Sequence, residues 1–353
     1  MAQVDVTKLT APNGAATYNE IIYKELMSST SLNQLFNILE GQMDGKKVAI
    51  LGGFGMLGVK SEGCNPTYEN SLMDAQEKEW DIEEWQIAES ICYDKLKGTM
   101  IQYAMNNGIE VANLVDTDYF ESILKPALEE AIKRMMIRLA FFGNKTITEG
   151  ELNDVDVKFF NVIDGIWKQV FDGVAASTIS RTAIDANAKT TMAAQEEAIS
   201  GAGVATKLLR KVIQSAPVEL RTAGNRVLYI TQSLYDAWTN DVQDNNKGSE
   251  GQWDSLEDGL LVGKINGVDT VVVPDWDVII KGSLKNTTNA EAYDKPYRAI
   301  LTTRDNLLLG TESNGNFEAL DYGFDRKSQD NWILAKNTIG AIVRFDKLIH
   351  VAF

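Results

Sequence analysis

Cysteine, histidine and proline are scarce in this chain of 353 residues: Cys64 and Cys92, His350, and six prolines. Two thiols and one imidazole cannot make a disulfide framework or a Cys/His zinc site, and a reducing, cytoplasmic interior is the expected compartment. Positive charge is short as well. With 34 Lys and Arg against 50 Asp and Glu, the formal net charge is −16. Such a field repels polyanions and disfavours a protein that gains affinity by neutralising phosphates. No run approaches the ~18 apolar residues that span a bilayer. The opening MAQVDVTKLTAPNGAATYNE has no basic stretch followed by an apolar one, so no signal peptide is read and a soluble chain is expected. No internal repeat is visible. What is present is 44% hydrophobic residues, enough to bury a core in a chain long enough for two or three folded units.

Met1 to Thr17 carry few apolar anchors and read as an extended arm. Leu32, Phe36 and Leu39 then fall at helical spacing in SLNQLFNILEG, which predicts a short helix capped by Ser31 and stopped at Gly41. From Lys46 to Tyr93 a glycine-rich apolar segment, KKVAILGGFGMLGVK, gives way to polar SEGCNPTYENSLMDAQEK and then to the alternating EWDIEEWQIAESICY. This pattern predicts a long two-stranded excursion. Along its return strand the buried parity changes, because Trp80 and Ile82 share one phase and Trp85, Ile87 and Ile91 the other. A bulge near Glu83 and Glu84 would restore it.

Asp94 caps a helix in DKLKGTMIQYAMNNG that stops at Gly108. Between Asp118 and Phe142 apolar residues recur every third or fourth position from Phe120 to Leu139, predicting a rod roughly 35 Å long. Gly143 stands where its C-terminal cap belongs, and Pro126 marks either a kink or the first turn. FFNVIDGIWKQVF is a compact helix candidate, and a module boundary falls near Ile163. Further on, residues 203–215 and SLYDAWTNDV read as helices, VLYIT, VDTVVV and YRAILT as strands, NLLLGT as the start of another, and DNNKGSEGQWDS as a surface loop. The ending IGAIVRFDKLIHVAF alternates as a terminal strand pair should.

Several residue sets invite a chemical reading. Gly53, Gly55 and Gly58 have the GxGxxG spacing of a dinucleotide site, but VKSEGCNPTYEN follows, where Gly63 and Pro66 stop the helix that must hold the pyrophosphate. Glycines that let a loop cross a neighbouring backbone are the preferred reading. Glu79, Asp81, Glu83, Glu84 and Glu89 alternate with Trp80, Ile82 and Trp85, as on the solvated face of a strand, and lack the spacing of a calcium loop. His350 reads as structural, since no nucleophile motif accompanies it. Lys207, Arg210 and Lys211, with Arg221 and Arg226, make the local basic excess, and salt bridges to acidic neighbours are expected there. Trp253 is either an interface anchor or packed on its own domain. No catalytic, cofactor or metal site is expected, and the chain is read as a non-enzyme.

Taken in order, the arm, the glycine-rich excursion, the long helix ending LAFFGNK, DGIWKQVF, the Ser/Thr-rich stretch after it and the phrases NRVLYITQSLYDAW, KINGVDTVVVPDWD and YRAILTTRDNLLLG resemble the tailed-bacteriophage major capsid protein family, with its Hong Kong 97 fold. The resemblance implies an α+β architecture: an N-terminal arm (1–44), an extended E-loop (45–93), a peripheral domain with a long spine helix (94–162 and 322–353) and an axial domain with a mixed sheet flanked by helices (163–321). It implies a structural protein that self-assembles into pentamers and hexamers of an icosahedral head around double-stranded DNA, assembled in the host cytoplasm and resident in the virion. Its expected partners are copies of itself, a separate scaffolding protein, a portal, and DNA through weak non-specific contact, with no membrane and no cofactor. Phe54, Met56, Leu57, Lys60, Trp80, Trp85 and Trp253 are the candidate inter-subunit contacts, Lys60 also as a donor for the Lys–Asn crosslink some relatives form. An encapsulin-like compartment shell and a nucleotide-dependent oxidoreductase are the competing readings. Val48, Ile50, Leu51, Phe54, Met56 and Leu57 could not all be buried within an isolated hairpin, so a partner is expected to cover them.

Overall fold

The computed structural model describes residues 30–51, 75–92, 125–244, 253–255, 260–312, 321–325 and 330–353. Helix α1 (Thr30–Leu35) and strand β1 (Asn37–Leu39) precede the antiparallel pair β2 (Lys47–Leu51) and β3 (Ala75–Glu79), followed by β4 (Glu83–Cys92). The long helix α2 (Lys125–Phe142) leads to α3 (Ile166–Ala175) and β5 (Ser180–Thr182). Helices α4 (Met192–Ile199), α5 (Val204–Ser215) and α6 (Val218–Thr222) come before β6 (Arg226–Thr231) and α7 (Gln232–Asp244). Then follow β7 (Asp254–Ser255), β8 (Leu261–Ile265), β9 (Val268–Val273), α8 (Pro274–Gly282), β10 (Ala299–Thr303) and β11 (Leu307–Gly310). The chain closes with β12 (Asp321–Asp325), β13 (Asp330–Val343) and β14 (Ile349–Ala352).

Seven strands form one sheet in the order β5-β14-β10-β6-β9-β8-β7. Its centre is the parallel pair β6 and β9, whose near-continuous Val, Leu and Ile are what a strand covered on both faces requires. Val227, Tyr229, Val271 and Ile300 face α2, α3 and α8, whereas Leu228, Ile230, Val272 and Leu301 face α5 and α7. Helix α8 is a feature that the strand-and-turn reading of VVVPDWD missed. Pro274 at its first turn, with Asp275 and Asp277 behind it, is the start signal that was there.

The second sheet runs β1-β11-β13-β12, with β4 paired to β13 from Glu83 opposite Ile339 to Cys92 opposite Asp330. One core serves both sheets. A chain of ring contacts crosses it, from Phe36 to Phe141 (4.8 Å between centroids), Phe141 to Trp276 (4.9 Å) and Trp276 to Trp167 (5.2 Å). Helix α2 is the layer between, lying against α3, α8 and β13. It ends where Gly143 meets the 163–165 backbone: a Cβ there would stand 2.5 Å from the Ile163 carbonyl, and one on Gly165 2.8 Å from the Gly143 nitrogen. Gly143 is thus needed for close approach, since its φ is not positive. The expected start of this helix at Asp118, and the helix after Asp94, lie outside the described residues.

Two expectations are corrected. The helix predicted to run to Gly41 stops at Leu35, because residues 37–39 pair in parallel with β11 and that ladder overrides the helical spacing of Leu39. The terminal segment is not a strand pair in one sheet: β13 stays in the second sheet while β14 joins the first. The stretch from Ile342 to Val351 is therefore divided between two sheets, and its β13 part lies against α2. Strand β11 makes the opposite crossing, so the division at 321/322 does not separate the two sheets. The fully buried Asn306 holds both crossings together. Its Nδ2 donates to Thr302 Oγ1 (2.9 Å) and to the carbonyls of Phe345 (3.1 Å) and Leu348 (3.3 Å), while its Oδ1 accepts the Phe345 N–H (2.6 Å).

Candidate functional site

The segment Trp80–Ile82 is where the β2–β3 ribbon leaves the body of the chain. The change of parity read there is resolved by a change of sheet instead of a bulge: β3 pairs with β2, and after three residues β4 pairs with β13. Trp80 and Ile82 point into a small core with Leu308 and Ile342, and Trp85 into the main core. The seat is made by two glycines opposite each other, Gly310 on β11 and Gly340 on β13. A Cβ on Gly310 would stand 2.6 Å from the Trp80 ring, and one on Gly340 2.7 Å from Ile82 and 2.8 Å from the Asp81 carbonyl. Glycines inside apolar strands, in LLLG and TIGAIV, were the sequence signal for a close backbone approach.

Charged ties flank the seat. Lys145 Nζ reaches Asp81 (2.5 Å) and Glu83 (2.7 Å); burial lowers its pKa, but the hydrogen bonds to both carboxylates outweigh that and hold it above the ordinary lysine value. Lys78 Nζ donates to the Val343 carbonyl (2.7 Å) and pairs with Asp346 (2.5 Å). Asp44 accepts the Ile82 N–H at 3.2 Å, and Trp80 exchanges backbone hydrogen bonds with Lys46 and Gly45. On the described part of the ribbon Lys47, Glu77 and Glu79 are exposed, and Lys47 is bonded to Glu77 (2.9 Å).

The candidate contacts fare unequally. Trp80 and Trp85 are 1% and 6% exposed, so neither has surface left for a neighbour; both anchor the ribbon to its own subunit, which corrects their reading as contacts. Trp253 is half-buried and meets Tyr235 edge-on (4.7 Å) and Trp238 at a tilt (5.9 Å), with its ring over Gly263 of β8. Val48 packs half-buried against the Trp80 cluster. Phe54, Met56, Leu57 and Lys60, the GxGxxG glycines, the arm before residue 30 and the 245–252 loop lie outside the described residues.

Chemistry-bearing residues elsewhere serve the fold. Both His350 nitrogens are engaged, Nδ1 by Ser180 Oγ (2.6 Å) and Nε2 by Thr182 Oγ1 (2.9 Å), stitching β14 to β5, and burial pulls its pKa down to about 4. Asp277, Ser233 and Lys281 form a cluster in which Asp277 accepts the Ser233 N–H (3.2 Å) and hydroxyl at the start of α7. Asp241, 5% exposed, accepts from the N–H groups of Gly203 (2.8 Å) and Thr206 (3.0 Å) and so caps α5 from a distance, a role its sequence position did not announce. The salt bridges expected for Lys207, Arg210, Lys211, Arg221 and Arg226 do not form among the described residues; four of these side chains are exposed, and Arg226 is half-buried and donates to the Arg221 carbonyl. No metal-binding group of His, Cys, Asp and Glu occurs among the described residues, and no helix there is long and apolar enough to cross a membrane.

No protein-family model and no curated protein sequence matches the chain. Solved structures do. A chain of the satellite phage P4 procapsid, determined with its size determination (Sid) protein, superposes with a TM-score of 0.55 at 12% identity, over 94% of this chain and 98% of that one. The chain has a phage capsid fold. A chain from Mycobacterium phage Ogopogo matches with a TM-score of 0.50 at 12% identity, covering 92% of this chain and 91% of that one. Within this capsid fold, the Trp80 seat and the two sheets are the parts that orient the ribbon. At such identity the likeness speaks for the fold and leaves each residue's role to its own geometry.

Proposed function

We propose that this chain is a structural major capsid protein that self-assembles, through pentamers and hexamers, into an icosahedral head enclosing double-stranded DNA, and that it has no enzymatic activity. The observation that carries the proposal is the superposition on a procapsid chain along nearly the whole length of both. The built base of the ribbon supports it: a two-stranded element too narrow to bury its own apolar residues is held at a fixed place by a packed seat and three charged ties. On this reading the ribbon reaches a neighbouring copy, Trp253 contributes its open face near the capsomer axis, and a separate scaffolding protein and a portal take part in assembly. The net charge of −16 keeps contact with packaged DNA weak.

Sedimentation and negative-stain imaging of the purified protein test the proposal. Closed shells or capsomers are expected; a compact monomer at every concentration would overturn it. Nicotinamide and flavin nucleotides are expected to leave the melting temperature unchanged, because a ligand that binds the native state must raise it.

A further inference from the structure

A cavity of about 210 Å³ opens between the end of α2, the first turns of α3 and the 284–298 segment. Its walls are aromatic, from Phe142, Trp167 and Phe171, and against them lies Arg298, only 1% exposed. The guanidinium carbon sits 5.0 Å from the Trp167 ring centre and 5.4 Å from those of Phe142 and Phe171. Nε donates to the Lys295 carbonyl (2.9 Å) and Nη2 to the carbonyl and carboxylate of Asp294 (both 3.0 Å). Nη1, which carries two more N–H groups, has no hydrogen-bond partner among the described residues. Burial lowers the Arg298 pKa to about 10, and the hydrogen-bonded carboxylate of Asp294 offsets this only in part.

The rim adds to this imbalance. Lys168, Lys285 and Lys295 also line the cavity, and only Glu151 and Asp294 oppose them. Lys168 is paired with Asp172 and Lys295 with Asp294, while Lys285 Nζ has no partner among the described residues. Glu151 already accepts the Thr148 N–H (2.8 Å) and hydroxyl (3.1 Å). Four cations line the cavity against Glu151 and Asp294, and with the Asp172 that holds Lys168 counted as well one positive charge remains in excess, in a chain whose net charge is −16.

We infer that this cavity is a site for a small oxyanion, held between Arg298 Nη1 and Lys285 with the aromatic walls excluding water. Its size admits a free phosphate or a single acidic side chain of a second copy and rejects a nucleic-acid strand. The inference concerns the subunit and stands whether or not the chain builds a shell. The test is thermal unfolding of the full chain titrated with inorganic phosphate and, separately, with glutarate, each against sodium chloride at matched ionic strength. A saturable rise in melting temperature is expected, with the apparent affinity reduced roughly tenfold in Lys285→Ala, the loss of one charge-assisted hydrogen bond. Lys264→Ala, an exposed lysine on β8, is expected to leave it unchanged. Preference for phosphate points to a free ion, and preference for glutarate to a carboxylate side chain from a neighbouring copy. No rise beyond the chloride control with either anion, or a rise that Lys285→Ala leaves intact, overturns the inference.

Discussion

The two sheets solve the burial problem in opposite ways. The seven-stranded sheet has helices on both faces, and its central strands are covered completely, so its stability comes from apolar area removed from water. The second sheet has the long helix on one side and, on the other, among the described residues, the small cluster of Trp80, Ile82, Leu308 and Ile342, beside which the separate two-stranded ribbon is seated. There, position is fixed by a glycine seat and charged ties in place of a thick core. A sheet covered on both faces and a ribbon held at its base are thus built with different physics in one chain.

The largest expected effect tests the shared layer. Ile132 on α2 is 4% exposed, so Ile132→Asp would bury an unpaired carboxylate and is expected to cost several kcal/mol, abolishing soluble expression. Glu130→Gln, which removes only an exposed pair with Arg134, is expected to change stability by less than about 0.5 kcal/mol. If both variants express equally, α2 is not the layer that unites the sheets.

Next comes acid, which acts on the thick unit. The folded His350 pKa of about 4 lies below its ordinary 6.5, so the unfolded chain takes up the proton first. Stability is therefore unaffected at pH 7, falls as pH drops through 6.5, and has lost about 3 kcal/mol by the time the folded pKa is passed. Denaturant midpoints between pH 7 and 4.5 are expected to fall more steeply in the wild type than in His350→Gln; parallel slopes would remove the histidine from the account.

The glycines then separate rigid packing from yielding packing. Gly310→Ala presses on the buried Trp80 and is expected to cost about 1–3 kcal/mol. Gly263→Ala presses on Trp253, which is only half-buried, and its cost is expected to stay below about 1 kcal/mol. Thermal melts of the pair decide, and equal losses would mean that the Trp80 seat is no stiffer than the surface. The smallest effect is expected for Lys145→Ala. Its carboxylate partners are 39% and 50% exposed, so roughly 0.5–1 kcal/mol is lost and the loss shrinks with added salt. A salt-independent loss would place the tie in the core.

Much of the first sheet was legible in the sequence because its signals are local: the β-branched runs of β6 and β9, the amphipathic α5 after Gly203, and the α7 helix after the strand. The helical spacing of Leu39 and the parity change at Glu83 mislead for the same reason, since parallel pairing with β11 and the passage of β4 to β13 are contacts with residues some 250 positions away. The seat was half legible. Trp80 and Ile82 announced a face change, and the glycines in LLLG and TIGAIV announced close approaches, but nothing local says that the two approaches meet.

Periodicity and composition by themselves determined that the chain folds, which segments are strands or helices where neighbours in sequence decide it, and that its charge disfavours tight binding to polyanions. Tertiary structure alone decided which sheet each strand joins, that Trp80 and Trp85 are anchors, and that Arg298 lies on aromatic walls beside an open cationic cavity. The physical reason is range. Propensity and amphipathicity act over a few residues, whereas a glycine pair opposite a tryptophan, or an asparagine joining two crossings, exists only when distant parts of the chain are brought within hydrogen-bonding and van der Waals distance.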